Sequence, residues 1–186
     1  MRVKILLVLL LVTVLLGNIQ LNGEGLSVSG TIGVFMPSDA NYKVLYGSSN
    51  IMPGVKMAIN LSDSLYVWGS YSMGTFSGES VMLKVPMKCK RSFLNFGAGF
   101  SLNMLRPVTL FLEVGGALAN SEEESFGDTN NGSKTGLVVN GGMKIHILKS
   151  LFVHVTAGYI MADTQINDKD FKLGGMMIGG GLGFSF

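Results

Sequence analysis

The chain has 186 residues, of which 47% are hydrophobic and only 14% are charged, and it contains 26 glycines and 1 cysteine. This apolar composition excludes a disordered chain, the single cysteine excludes an internal disulfide scaffold, and the many glycines disfavour a helical bundle. The formal net charge of +2 is no argument for a nucleic-acid partner, because removal of Arg2 and Lys4 with the segment described next leaves 12 basic and 12 acidic side chains.

The first segment in chain order is a short apolar run, Ile5–Leu16, which follows two cationic residues. A basic start before such a run is typical of a secretory signal peptide, and the run is too short to cross a bilayer as a helix. We predict a signal peptide over residues 1–23, with cleavage between residues 17 and 25 and export through the general secretory route. One domain then occupies residues 24–186. An uncleaved anchor or a buried core segment is the alternative.

Eight segments that alternate apolar with small or polar residues follow, and this period of two predicts β-strands. No later segment has a helical period, so no helix is predicted. The connections after the second, fourth and sixth strands are short and the others are long, as in transmembrane barrels with short periplasmic turns and long external loops. The predicted strands are Leu26–Met36, Gly54–Leu61, Ser64–Thr75, Ser92–Asn103, Pro107–Ala119, Gly136–Ile147, Leu151–Ala162 and Lys172–Phe186.

The side chains on the two faces of each predicted strand differ in size as well as in polarity. In the fourth strand Leu94, Phe96 and Phe100 share one face, whereas Asn95 and Gly97 lie on the other. The less apolar faces hold few charges and many small residues, which suits a narrow barrel interior better than a surface in water. We therefore predict an all-β, eight-stranded antiparallel transmembrane up-and-down barrel with its apolar faces toward lipid. The alternative is a soluble periplasmic lipocalin-like barrel with the apolar faces inward.

Four features of the sequence together resemble those of a known family. They are the signal peptide, the eight strands, the alternating connections and a last strand that ends in Gly183-Phe184-Ser185-Phe186. With these features the sequence resembles the small eight-stranded outer-membrane β-barrel family, the OmpA/OmpX-like proteins. The resemblance implies that Phe184 and Phe186 form the C-terminal signal that the barrel-assembly machinery reads. It also implies a place in the bacterial cell outer membrane, among its lipids and lipopolysaccharide. We expect a monomer.

Four ionisable side chains share the predicted inward faces, and they are Lys56, Glu113, Lys144 and His154. Similar distances from the short turns place them in one layer of the interior. Because a charge in a narrow interior must be paired, we predict that Glu113 binds Lys56, Lys144 or both. The layer is either a structural plug or an ion gate of the kind found in the family that the sequence resembles. His146 also faces inward, but no third ligand accompanies the two histidines, so no metal or other cofactor is predicted.

Charges also mark the predicted external loops. The second loop carries Lys84, Lys88, Lys90 and Arg91, which are positioned to bind lipopolysaccharide phosphates or are simply solvated. Cys89, which lies among them, is expected to be an exposed thiol. In the third loop three consecutive glutamates, residues 122–124, predict a mobile acidic tip.

These features predict a non-enzymatic outer-membrane protein with a structural or surface-interaction role through its external loops. One alternative is a narrow channel or a conduit for hydrophobic solutes. A second is a lipid A-modifying enzyme, because His154 and Thr156 loosely resemble the His-x-Ser pair of lipid A deacylase barrels. Here threonine replaces serine and His154 is predicted near the opposite end of the barrel, so no catalytic residue is predicted.

Overall fold

A computed structural model describes residues 25–79, 86–105, 107–125, 128–166 and 169–186. The predicted signal peptide and Lys84 lie outside these ranges. One helix and ten strands are described, in the order β1 (Leu26–Pro37), α1 (Ala40–Tyr46), β2 (Asn50–Asn60), β3 (Leu65–Glu79), β4 (Pro86–Leu105), β5 (Val108–Ser125), β6 (Asp128–His146), β7 (Leu151–Met161), β8 (Asp163–Ile166), β9 (Lys169–Lys172) and β10 (Gly175–Ser185).

Strands β1 to β7 and β10 form one closed antiparallel barrel, which confirms the predicted eight-stranded architecture. Closure occurs where β1 pairs with β10 on one side and with β2 on the other. At this seam Leu26 and Phe186 exchange backbone hydrogen bonds of 3.2 and 2.8 Å. Because the first and last strands are paired, closure satisfies the backbone groups that an open sheet would expose at its edges.

The barrel turns its apolar side chains outward. Ile32 is 65% exposed, Val114 58% and Phe96 53%, whereas Trp68 and Phe111 on the opposite faces are only 4% and 5% exposed. The predicted orientation of the faces is confirmed, and the alternative with the apolar faces inward is wrong. Further outward residues with large exposure are Val55, Leu65, Leu102, Leu112, Leu137, Val155, Leu182 and Phe184.

The two ends of the barrel differ. The turn end holds the short connections at residues 61–64 and 147–150, and the backbone of Leu26 meets that of Phe186 there. The loop end holds α1 and a separate hairpin formed by β8 and β9, which lies in the predicted fourth loop. Consequently the last barrel strand begins at Gly175 instead of Lys172.

Three strands extend much further toward the loop end than predicted. β4, β5 and β6 have 20, 18 and 19 residues, against 11 or 12 in β1, β2, β7 and β10. The predicted second and third loops are therefore largely strand, and residues 122–124 belong to β5 instead of a mobile tip. Both faces of these extensions carry polar residues, so the alternation disappears although the ladder continues, with Lys90 opposite Glu122 and Asn120 opposite Ser133.

The predicted first loop contains a helix that the sequence analysis missed. Asp39 caps its start by accepting a hydrogen bond of 3.1 Å from the backbone N–H of Tyr42. Its end is set by Gly47, which has a φ of 88° and donates its N–H to the carbonyl of Lys43. Within the described residues, no helix has the length and apolar character needed to cross a membrane.

Candidate functional site

A buried carboxylate lies at the centre of the interior toward the turn end. Glu113 is 0% exposed and accepts hydrogen bonds from three side chains. Lys56 forms an ion pair with its Oε1 atom, and the Tyr66 hydroxyl donates to the same oxygen at 2.8 Å. Asn140 donates its Nδ2 group to Oε2 at 3.1 Å. Both oxygens of the carboxylate are therefore occupied.

Strand register brings these partners together. Tyr66 on β3 lies opposite Gly99 on β4, which in turn lies opposite Glu113 on β5. Because glycine leaves open space, the tyrosine ring lies across β4 and reaches the carboxylate two strands away. A Cβ atom at Gly99 would overlap that ring. On the other side Asn140 on β6 lies directly opposite Glu113.

Aromatic rings surround the two lysines of this layer. The Lys56 Nζ atom lies 4.8 Å from the centroid of the Phe111 ring and 5.3 Å from that of Trp68. The Lys144 Nζ atom lies 5.6 Å from the same Phe111 centroid, and 5.2 and 5.4 Å from the rings of Tyr66 and Phe152. Ring faces attract cations at such distances, so the rings hold both ammonium groups inside the barrel.

His154 completes the layer. It lies opposite Lys144 and is 4% exposed, and among the described residues its Nε2 atom has no hydrogen-bond partner. His146 also faces inward, where its ring packs at 5.9 Å from that of Phe152. Among the described residues, no three His, Cys, Asp or Glu side chains are grouped as a metal site would need. We call Lys56, Glu113, Lys144 and His154, with their surrounding rings, the charge layer.

The charge layer separates two small cavities inside the barrel. The larger, about 60 Å³, extends toward the loop end between Ser70, Asn95 and Thr156. The smaller, about 10 Å³, lies toward the turn end between Ser27, Ser29 and Lys144. Lys56 and His154 border both cavities, so side chains fill the section between them. The charge layer therefore lies across the barrel between the two cavities.

A second closure lies at the loop end, where α1 folds over the opening. Tyr42 and Tyr46 are 7% and 4% exposed, and the Tyr42 ring packs edge-on against Phe76. The Arg91 guanidinium lies 4.0 Å from the centroid of the Tyr42 ring and donates to the carbonyl of Leu173 at 3.3 Å. Arg91 therefore ties α1 to the segment between β9 and β10.

The tyrosines of α1 remain neutral in this environment. Burial is the main cause that raises the pKa of both Tyr42 and Tyr46 above the ordinary value. The neutral Tyr46 hydroxyl donates to the Glu123 Oε1 atom at 3.1 Å. This bond attaches the helix to β5.

The structure corrects two expectations for the predicted second loop. Arg91 is only 2% exposed and points into the barrel, so it is not placed to touch a lipid phosphate. Cys89 is 0% exposed and lies 3.4 Å from the Ser121 hydroxyl, so its thiol is buried instead of exposed. Both lie on β4 at odd positions, which face inward. Lys88 and Lys90, at even positions, are exposed and face outward.

The outward apolar side chains, such as Leu94 and Phe96, form an apolar belt around the barrel. A groove of about 360 Å³ runs across the outward faces of β3 to β6, on the loop-end side of this belt. Tyr71 lies at its apolar end, and Lys90 and Glu122 lie further from the belt. Residues with hydroxyl and amide side chains line the rest of the wall on the outward faces, and they are Ser92, Asn120, Asn131 and Ser133.

Comparison with known proteins identifies the architecture. No protein-family model and no curated protein matches the sequence. The outer-membrane protein OprG of Pseudomonas aeruginosa superimposes with a TM-score of 0.69 at 11% identity, over 87% of this chain and 96% of that chain. Neisserial surface protein A superimposes with a TM-score of 0.64 at 13% identity, over 87% and 97%. Ail of Yersinia pestis, solved with the heparin analogue sucrose octasulfate, gives 0.57 at 15% identity over the same shares.

The chain has the fold of the small eight-stranded outer-membrane β-barrels. Identities this low establish the fold alone, so the roles of the site residues rest on their own geometry. The loop-end closure was missed in the sequence, although Tyr42 and Tyr46 are spaced one helical turn apart behind a capping aspartate.

The contacts of the charge layer predict that loss of its carboxylate lowers the free energy of unfolding. Glu113→Ala leaves the Lys56 ammonium group buried without its partner, and we expect the free energy of unfolding to fall by about 3–5 kcal/mol. Urea unfolding in phospholipid vesicles measures this change. Glu122→Ala removes an exposed carboxylate from the same strand and is expected to change stability by about 0.5 kcal/mol or less. Equal losses in the two variants would contradict the plug.

The loop-end closure predicts a change in local opening. Arg91→Ala removes the contact with Tyr42 and the bond to Leu173, so α1 opens more often and trypsin cleaves faster after the exposed Lys43. The matched control is Lys90→Ala, which removes an outward cation from the neighbouring position. Cleavage after Lys43 that is no faster in Arg91→Ala than in the control would show that Arg91 does not hold the helix.

Proposed function

We propose that this protein is a non-enzymatic, integral outer-membrane barrel that acts through its external surface and not through its interior. One observation carries the proposal. The barrel exposes an apolar belt around its circumference, while its interior is closed at the charge layer and covered by α1. A protein with this distribution is stable in a bilayer, and the surface that it offers to other molecules is the outward face of its loop end.

The proposed route to the membrane uses both ends of the chain. Residues 1–23 direct export through the general secretory route, and the barrel then folds from residues 24–186. The strand that closes the barrel, β10, carries Phe184 on its outward face and is followed by Phe186, and the two rings are 53% and 69% exposed. This exposure supports their proposed role as the signal that the barrel-assembly machinery reads. We propose that the folded protein is a monomer.

The proposed partner at the outer surface is lipopolysaccharide. Along the outward face of β4 the side chains change from Phe96 and Leu94, which lie in the apolar belt, to Ser92, Lys90 and Lys88. The two lysines therefore lie just beyond the belt, at the height where phosphate groups would be. Lys84 is proposed to join them.

The groove beside Lys90 supports contact with sugars as well as phosphates. Its wall combines the Tyr71 ring with amide and hydroxyl groups, which are the groups that bind saccharide hydroxyls. Glu122 and Glu124 lie opposite Lys90 and Lys88 in the ladder, so the surface has mixed charge. Mixed charge favours a ligand that carries neutral sugars together with phosphates over a purely anionic one.

The alternatives gain less support from the geometry. A channel or a conduit needs a continuous path, whereas the ion pair and the rings fill the barrel section between the two cavities. The lipid A-modifying alternative needs a histidine at the outer leaflet. His154 instead lies inside the barrel toward the turn end, and the Thr156 hydroxyl donates to the carbonyl of Gly141 at 3.4 Å.

The proposal is tested by fractionation and by electrical recording. We expect the mature protein in the outer-membrane fraction, with a gel mobility that changes on heating because the barrel resists detergent until it is boiled. Purified protein in planar bilayers is expected to give no conductance. Recovery from the periplasm without detergent would refute the membrane location, and steady ion conductance would refute the closed interior.

A further inference from the structure

Charge is unbalanced inside the barrel. The charge layer holds the two cations Lys56 and Lys144 but only one carboxylate, that of Glu113. Among the described residues, Lys56 and Glu113 form the one ion pair of the interior. Lys56, Tyr66 and Asn140 already bind this carboxylate, and in the described part of the chain no ion pair joins Lys144 to an anion. An unpaired charge in so narrow an interior carries a large desolvation cost.

The turn-end cavity provides a position for an anion beside Lys144. It has a volume of about 10 Å³, which is close to the space that one water-sized particle occupies. Its wall includes side chains of both lysines of the charge layer, Lys56 and Lys144. Ser27 and Ser29 of β1 close the cavity on the side of the turns.

The wall also includes hydrogen-bond donors, beside the apolar side chains of Ala58 and Phe152. The lysines donate only, and the hydroxyl groups of Ser27 and Ser29 can donate as well. The fifth polar residue of the wall, His154, is 4% exposed, and its Nε2 atom has no hydrogen-bond partner among the described residues. The wall therefore combines two cations, of which only one is paired with a carboxylate, with hydroxyl groups that can donate, and this combination favours an anion.

Size selects the class of anion. A phosphate or sulfate group has five atoms and does not fit a space of about 10 Å³. A chloride ion is larger than a water molecule but, as a single atom, much smaller than phosphate or sulfate, so of these anions it requires the smallest displacement of the cavity wall. We propose that the turn-end cavity binds one chloride ion between Lys56 and Lys144. The bound anion makes the charge layer neutral and completes the plug.

The test uses bromide as a heavy substitute for chloride. Crystals of the detergent-solubilised barrel grown in sodium bromide are expected to show an anomalous peak in the cavity, in contact with the Lys144 Nζ atom. Lys144→Met should abolish the peak. Lys149→Met, which removes a cation from the exposed turn at the same end of the barrel, should retain it. A wild-type crystal without the peak, or a peak that survives in Lys144→Met, overturns the proposal.

Stability gives an independent readout in solution. At constant ionic strength, replacement of gluconate by chloride should raise the urea midpoint of the wild type, because an ion that binds only the folded state stabilises it. The shift should disappear in Lys144→Met and persist in Lys149→Met. If Lys144→Met does not fold, Ser29→Val tests the same cavity, with a reduced shift expected. A midpoint that is indifferent to chloride in the wild type contradicts the site without affecting the proposed membrane location.

Discussion

The narrow interior of a closed eight-stranded barrel is the constraint on which the rest of this structure depends. Closure pairs the edge strands, but it leaves room inside for only a few large side chains. The sequence meets this limit by placing glycines beneath the rings. Tyr66 lies over Gly99, and Phe111 and Phe152 lie over two further glycines of neighbouring strands, Gly142 and Gly183. In each case an added Cβ atom would overlap the ring, so crowding requires glycine at these three positions.

The same narrowness explains the chemistry of the interior. Side chains from strands on opposite sides of the barrel can reach one carboxylate, and Glu113 is bound from β2, β3 and β6 at once. A wider barrel would leave water between these groups. Here the groups meet directly, so the layer joins β2, β3, β5 and β6 across the interior. The outward faces, free from this crowding, carry the larger aliphatic residues.

Much of this arrangement could be predicted, because burial imposes a period of two on every strand within the belt. The predicted inward positions of Glu113 and Lys56 follow from that period alone. The prediction fails where strands leave the belt, since both faces are then polar and only the backbone ladder continues. Asn95 and Phe93 occupy inward positions of β4, and the same alternation places Arg91 and Cys89 inward. Extending the alternation of inward and outward positions past the predicted strand end would therefore have predicted the orientation of Arg91 and Cys89. Helix α1 was missed because its seven residues are too few to show a helical period.

The single tryptophan, Trp68, offers the most direct test that the polar faces form the interior. Its indole N–H donates to the carbonyl of Ala98 at 3.1 Å, and the side chain is 4% exposed. In vesicles of brominated phospholipid, which quenches indole on contact, Trp68 fluorescence should be nearly unaffected. A Val67→Trp/Trp68→Phe variant, which moves the indole to the adjacent outward position, should be strongly quenched. Strong quenching of Trp68 together with weak quenching of the variant would contradict the account.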